Sequence, residues 1–195
     1  MVEQRDIDII LNNPIDWELF RNKTVLVTGA TGRLGMYIVE AINKADIDWN
    51  LNVTILALAR NEKKMQDVFG ESLKLPNIHP IVQDITEPIR WDGPVHYIFH
   101  TAGAASPQDF TNWPVDTLWG HIQGTRNVLE LAREKKAEKI LYVSTVEVYG
   151  EWKSEQGIKE DDMGPMHCDN ARACYPEAKR MCETMLASYE AQYDI

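Results

Sequence analysis

Between Lys23 and Gly35 the chain reads Lys-Thr-Val-Leu-Val-Thr-Gly-Ala-Thr-Gly-Arg-Leu-Gly, and few folds accommodate that run. Apolar, β-branched residues lead straight into three glycines spaced three apart, Gly29, Gly32 and Gly35, and an amphipathic segment follows. The order predicts a first strand, a tight turn and a helix with an open N-terminus. Such an end attracts anions, because its unpaired N–H groups and the positive end of the helix dipole face one point. Glycines let a pyrophosphate approach the backbone. A glycine turn before a helix can be a plain loop, but the strand before this one and the helix after it are both legible.

The remaining pattern alternates strands and helices. Residues 1–21 form an N-terminal extension, with a short helix carrying Ile7, Ile9, Ile10 and Leu11 and a linker whose Trp17 and Phe20 pack outside the first strand. From residue 22 to 195 the chain reads as one domain. The helix after Gly32 runs to about Ala45, with Leu34, Ile38, Ala41 and Ile42 on its inner face. Val53–Ala59 is a continuous apolar run, as expected of a parallel strand buried on both sides. Ile78–Gln83, Val95–His100 and Ile140–Val143 are the next strands. A helix over 114–135 buries Val115, Leu118, Ile122, Val128 and Leu129; a polar loop spans 150–173, and a last helix spans 176–193. This is an α/β chain: a Rossmann-like doubly wound parallel sheet with helices on both faces.

Charge narrows the partners. A net charge of −10 argues against nucleic acid, so an anionic ligand needs a local cradle rather than a basic surface. No apolar segment reaches the length of a membrane span, and the acidic start lacks a secretion signal, so a cytoplasmic location without membrane contact is expected. Cys168, Cys174 and Cys182 lack metal-site spacing, so no metal is expected and the thiols read as reduced.

Several positions are suited to a dinucleotide. The end of the second strand offers Arg60 where NAD enzymes place a carboxylate for the ribose. Arg60 can pair with the 2′-phosphate of NADP, lie over the adenine, or be a solvated helix-start residue. Asp84, followed by Ile85, can accept from the adenine amino group or cap the helical turn at 85–89. The small residues Thr101, Ala102 and Gly103 allow close approach after the fourth strand, although packing alone also explains them. In Tyr175-Pro176-Glu177-Ala178-Lys179, Pro176 fits a first helical turn and sets Tyr175 and Lys179 on one face. A phenol with a pKa near ~10 is a poor base at neutral pH. A neighbouring ammonium and a cationic nicotinamide ring would favour its ionised form.

Thr28-Gly29-x-x-Gly32-x-x-Gly35 resembles the short-chain dehydrogenase/reductase superfamily, and Gly32-Arg33-Leu34-Gly35 its extended branch. The segment Arg172–Glu183 is similar to nucleotide-sugar enzymes of that branch, among them UDP-glucuronate decarboxylases and dTDP-glucose 4,6-dehydratases. The resemblance implies NAD as cofactor, NADP being the alternative, held by Gly29, Thr31, Gly32, Arg33, Leu34, Gly35, Arg60, Asp84, Ile85, Thr101, Ala102, Gly103, Tyr175 and Lys179. Aligned on Val148-Tyr149-Gly150, the family's catalytic hydroxyl falls on Thr145, with Ser144 as its neighbour. The implied chemistry is transient oxidation of a sugar: Tyr175 takes the hydroxyl proton, Thr145 positions it and Lys179 supports the phenolate. Glu147 matches the dehydratase base. Val146 stands where the dehydratases have an acid, which favours decarboxylation or epimerisation over 4,6-dehydration.

Two departures stand out. His121 replaces the Asn that often precedes the Gly-Thr pair, and the chain stops at Ile195 whereas family members continue into a sixth strand and a substrate domain. A poorly active piece of a longer protein is therefore expected. The helices over 114–135 and 176–193 commonly pair two subunits in the family, so a homodimer is expected; Trp119 and Met185 read as exposed apolar positions that can serve that contact, core packing being the favoured alternative for either one. Two alternatives are an NADPH-dependent reductase of a small carbonyl compound and a dinucleotide-sensing protein without catalysis.

Overall fold

The computed structural model describes residues 2–151 and 157–195. Among them are five strands, β1 (Thr24–Thr28), β2 (Thr54–Ala59), β3 (Ile78–Val82), β4 (Tyr97–His100) and β5 (Lys139–Tyr142), all parallel in the order β3-β2-β1-β4-β5. The helices are α1 (Gln4–Leu11), α2 (Arg33–Trp49), α3 (Glu62–Phe69), α4 (Pro107–Asn112), α5 (Pro114–Lys135) and α6 (Cys174–Tyr193).

Alternation along β1 and β2 builds two cores. Val25, Val27, Ile55 and Ala57 face Val39 and Ile42 of α2 and Met65 and Phe69 of α3. Leu26, Leu56 and Leu58 face the opposite way, onto Val128, Leu131 and Ala132 of α5. Burying one such leucine contributes about 1.5–3 kcal/mol, so every residue of β1 resists exposure to either side. Helices therefore cover both faces, as the continuous apolar runs predicted. Trp17 and Phe20 pack on the first core, and Phe20 meets Tyr97 edge to face at 5.7 Å.

Sheet order reverses between β1 and β4. In parallel α/β sheets the crevice at such a switch, beyond the carboxyl ends of the strands, is where ligands sit. The turns after Thr28 and His100 border it.

Four expectations need correction. Helix α2 continues to Trp49 and stops where Asn50 takes a left-handed conformation, φ +49°, so 46–49 are helical rather than connecting chain. Leu34 is 55% and Val115 66% exposed rather than buried, each lying in the first turn of its helix. Residues 85–89 form no helix; a turn closes from Glu87 N–H to Asp84 O at 3.1 Å. Met185 is only half-buried, whereas Trp119 is exposed. Of the predicted polar loop, residues 152–156 lie outside the described residues.

Candidate active site

The glycine turn is closed by backbone contacts that exclude side chains. Gly29 has φ +66°, and a Cβ there would sit 2.8 Å from the Ala102 backbone. A Cβ on Gly35 would lie 2.3 Å from Gly29 O, so α2 meets β1 at a distance only glycine allows. Gly32 N–H donates to Gly29 O at 2.8 Å, and Ala30 N–H to Leu58 O at 3.0 Å. With those two amides taken, the first-turn amides of α2 after Gly32, from Arg33 to Gly35, face outward without helical acceptors. Thr31 and Arg33 flank the N-cap Gly32 in the chain, and Leu34 beside them is exposed.

The turn after β4 rests directly on the first. Thr101 Oγ1 donates to Thr28 O at 2.7 Å, and Ala102 N–H donates to Thr28 Oγ1 at 3.3 Å. Gly103 has φ +152°, and a Cβ there would strike the His121 ring at 2.1 Å. His121 Nε2 bonds Ala104 O at 2.9 Å. Burial and the nearby Lys179 charge push its pKa down to about 4, so the ring is neutral at pH 7.

Asp84 is engaged locally. Its Oδ1 accepts from Thr86 N–H at 2.9 Å and Thr86 Oγ1 at 2.7 Å, bonds that hold its carboxyl below the usual carboxylate range, helped by the Arg60 charge. Ile85 O accepts from Asn127 Nδ2 at 2.9 Å. Arg60 is exposed, and Asn61 rather than Arg60 caps α3, accepting from Lys64 N–H at 2.8 Å.

Tyr175 and Lys179 lie one turn apart on α6 and are 7% and 6% exposed. Lys179 Nζ donates to Val143 O at 2.7 Å, 4.4 Å from the Tyr142 ring centre and 5.9 Å from that of Tyr175. Burial lowers its pKa to about 8. Tyr175 stacks on Phe110 of α4 at 4.1 Å and meets the His121 ring edge-on at 5.3 Å. Thr145 caps the 3-10 turn Val146–Tyr149 by accepting from Glu147 N–H at 3.3 Å. A threonine hydroxyl used only as acceptor still has its proton to donate. Glu147 pairs with Arg172 at 2.9 Å, and that guanidinium covers Phe110 at 4.8 Å. Ser144 donates to Glu183 on α6. Tyr142 Oη is buried with no hydrogen-bond partner among the described residues.

Tyr175, Lys179 and the strand end preceding Thr145 thus gather at the carboxyl ends of β4 and β5, beside the two turns. Arg60 and Asp84 sit at the far end of the same crevice. Phe110 and Tyr142 carry no site signal in the sequence, and Arg172 enters there only as the first residue of the Arg172–Glu183 segment. Ser106-Pro107 is a helix-start signal that points to α4, but nothing local pairs Phe110 with a residue 65 positions on.

Residues 25–195 match the NAD dependent epimerase/dehydratase family. UDP-glucuronic acid decarboxylase 6 of Arabidopsis thaliana is 31% identical over 174 residues, covering 89% of this chain and 48% of the relative. An epimerase from Methanothermobacter thermautotrophicus superposes with a TM-score of 0.74 at 21% identity, over 92% of this chain and 51% of that one. A dTDP-glucose 4,6-dehydratase from Streptomyces venezuelae, crystallised with NAD, gives 0.70 at 20% identity, over 88% and 53%. The chain spans about half the length of the curated relatives it matches. Among the described residues no helix is long and apolar enough to cross a membrane, and no group of three His, Cys, Asp or Glu is placed to hold a metal.

Proposed function

The chain belongs to the NAD-dependent epimerase/dehydratase family, and from that premise we propose that it carries the cofactor side and catalytic pair of an enzyme that modifies a nucleotide sugar by transient oxidation. The observation that carries the reading is the burial of Tyr175 and Lys179 together, one helical turn apart, beside the crevice between β1 and β4. The residues fit a dinucleotide: glycines 29, 32 and 35 let the turn close backbone against backbone, where Cβ atoms would collide, and so set it beneath an open helix end. Thr101, Ala102 and Gly103 form its second wall. NAD, when bound, supplies the hydride acceptor. Asp84 beside Arg60 disfavours a 2′-phosphate there, which supports NAD over NADP.

In this mechanism Tyr175 takes the proton from a sugar hydroxyl while Thr145 donates a hydrogen bond to the same oxygen. Lys179, tethered to Val143 O, holds positive charge near the phenol. Glu147 is a carboxylate directed by Arg172 toward the second step. Val146 is exposed and offers no proton to a leaving group, which supports decarboxylation or epimerisation. The 31% identity to a decarboxylase favours the former. The exposed Val115 and Trp119 on α5 make that helix the proposed homodimer face, with α6 alongside. Free Cys168, Cys174 and Cys182 fit a reducing, cytoplasmic setting.

The test is NAD⁺ titration by calorimetry together with carbon dioxide release from UDP-glucuronate. Tyr175→Phe should bind NAD⁺ like wild type and release carbon dioxide at least about 100-fold more slowly. Equal and measurable release by both would overturn the assignment.

A further inference from the structure

Beneath the two turns runs a chain of buried polar side chains that the proposed chemistry does not use. Ala102 N–H donates to Thr28 Oγ1 at 3.3 Å, and Thr28 Oγ1 meets His100 Nδ1 at 2.7 Å. His100 Nε2 meets Thr125 Oγ1 of α5 at 3.1 Å, and Thr125 Oγ1 meets Cys182 Sγ of α6 at 3.2 Å. Cys182 Sγ then reaches His121 O at 3.4 Å, and the His121 ring returns to Ala104 O at 2.9 Å. Thr28, His100, Thr125, Cys182 and His121 are all buried. The path leaves the turn after β4 at Ala102, crosses β1, β4, α5 and α6, and re-enters the same turn at Ala104.

The direction of every bond follows from chemistry. A carbonyl only accepts, so the Cys182 thiol proton goes to His121 O. The sulfur must then accept from Thr125, whose single proton is thereby taken. His100 Nε2 must therefore carry a proton and donate to Thr125. Burial lowers the His100 pKa to about 3, so its Nδ1 is bare and accepts from the Thr28 hydroxyl. Thr28 Oγ1 receives the Ala102 amide. At the far end Ala104 O fixes the proton of His121 on Nε2. All six bonds run one way round; the first five form a chain in which each polarises the next, and the sixth is joined to it through the His121 residue itself.

We propose that this closed loop, with Cys182 as its joint on α6, is a positioning device that holds Tyr175 and Lys179 in register with the turns after β1 and β4. It rests on the functional reading above, in which those turns seat a dinucleotide. Cys182 lies three residues beyond Lys179, on the buried side of the helix that bears both groups. A ligand that settles on the 101–104 turn thereby shifts the phenol, because Ala102 and Ala104 are the two ends of one hydrogen-bonded path. Cys182 acts through structure and touches no reacting atom.

The experiment follows ring-¹³C-labelled tyrosine by NMR in the full chain, with the Tyr175 signal identified by its loss in Tyr175→Phe. NAD⁺ should displace that signal in wild type. In Cys182→Ala the displacement should fall by about half or more while NAD⁺ affinity stays within about threefold, and Cys182→Ser, which keeps a donor and acceptor, should recover it. Thr125→Val against Thr125→Ser gives the same comparison if Cys182→Ala does not fold. A wild-type displacement retained in folded Cys182→Ala or Thr125→Val overturns the positioning role alone. Failure of wild type to bind NAD⁺ overturns it together with the functional reading.

Discussion

The turns after β1 and β4 and the segment after β5 border one crevice but are built on opposite plans. In the first, glycines bring backbone against backbone, and the polar groups of Thr28, His100 and His121 are bonded inward. In the second, Ser144, Thr145 and Glu147 are half-buried, and their partners Glu183 and Arg172 come from the more exposed side of α6 and the turn before it. Strand burial follows the same division: β1 is buried throughout, whereas β5 alternates and leaves Leu141 51% exposed. A pyrophosphate has the same shape whatever sugar accompanies it, so its cradle can be rigid. On the function proposed above, the second segment would face the variable part of a substrate, and it is held by partly exposed contacts that rearrange at little cost.

The sharpest way to break this contrast is Gly35→Ala. Its Cβ would meet carbonyl and Cα atoms that cannot rotate away, so a loss of at least about 4 kcal/mol in urea unfolding and no calorimetric NAD⁺ binding are expected. A near-native melt would mean that the cradle yields. Next, Leu26→Ala should cost about 2–5 kcal/mol and Leu141→Ala less than about 1 kcal/mol, measured by the same denaturation. Comparable losses would erase the division between β1 and β5.

A third effect depends on pH. The folded pKa values of His100 and His121 lie below the ordinary 6.5, so below that pH the unfolded chain binds protons that the native chain refuses. Stability is then complete above pH 6.5 and declines as pH falls toward about 4 and 3, at up to about 1.4 kcal/mol per pH unit for each imidazole. Lys179 follows the same sign: relative to Lys179→Met, wild type should gain stability as pH rises from about 8 toward 10.5. Flat profiles in urea melts across these windows would show that the rings and the amine titrate freely. The smallest effect belongs to the open side. Arg172→Ala removes a partly exposed ion pair, and its melting free energy should change by less than about 1 kcal/mol.

Local pattern made the cradle readable before any coordinates. Apolar runs such as Val25–Val27 and Ile55–Ala59, each ended by a polar or glycine-bearing turn, read as buried parallel strands, and the spacing of Gly29, Gly32 and Gly35 has few other uses. Helix α3 is faint in the sequence, marked only by the helix-start reading of Arg60, because only Met65 and Phe69 of its eight residues are buried, too few for a periodic stripe. Leu34 and Val115 obey the helical period yet are exposed, each in the first turn of its helix. The loop through Thr28, His100, Thr125 and Cys182 joins residues 72, 25 and 57 positions apart, and no short window contains it. Likewise Arg172 meets Glu147 only because the chain doubles back after β5.

The collision that a Cβ at Gly103 would have with the His121 ring ties the fates of two distant codons. Alanine at 103 meets both a backbone at φ +152° and the imidazole, so a lineage leaving this arrangement must first shrink or turn the residue at 121 and still bear the backbone strain. Mutational order, and not only mutational tolerance, is thereby written into the turn.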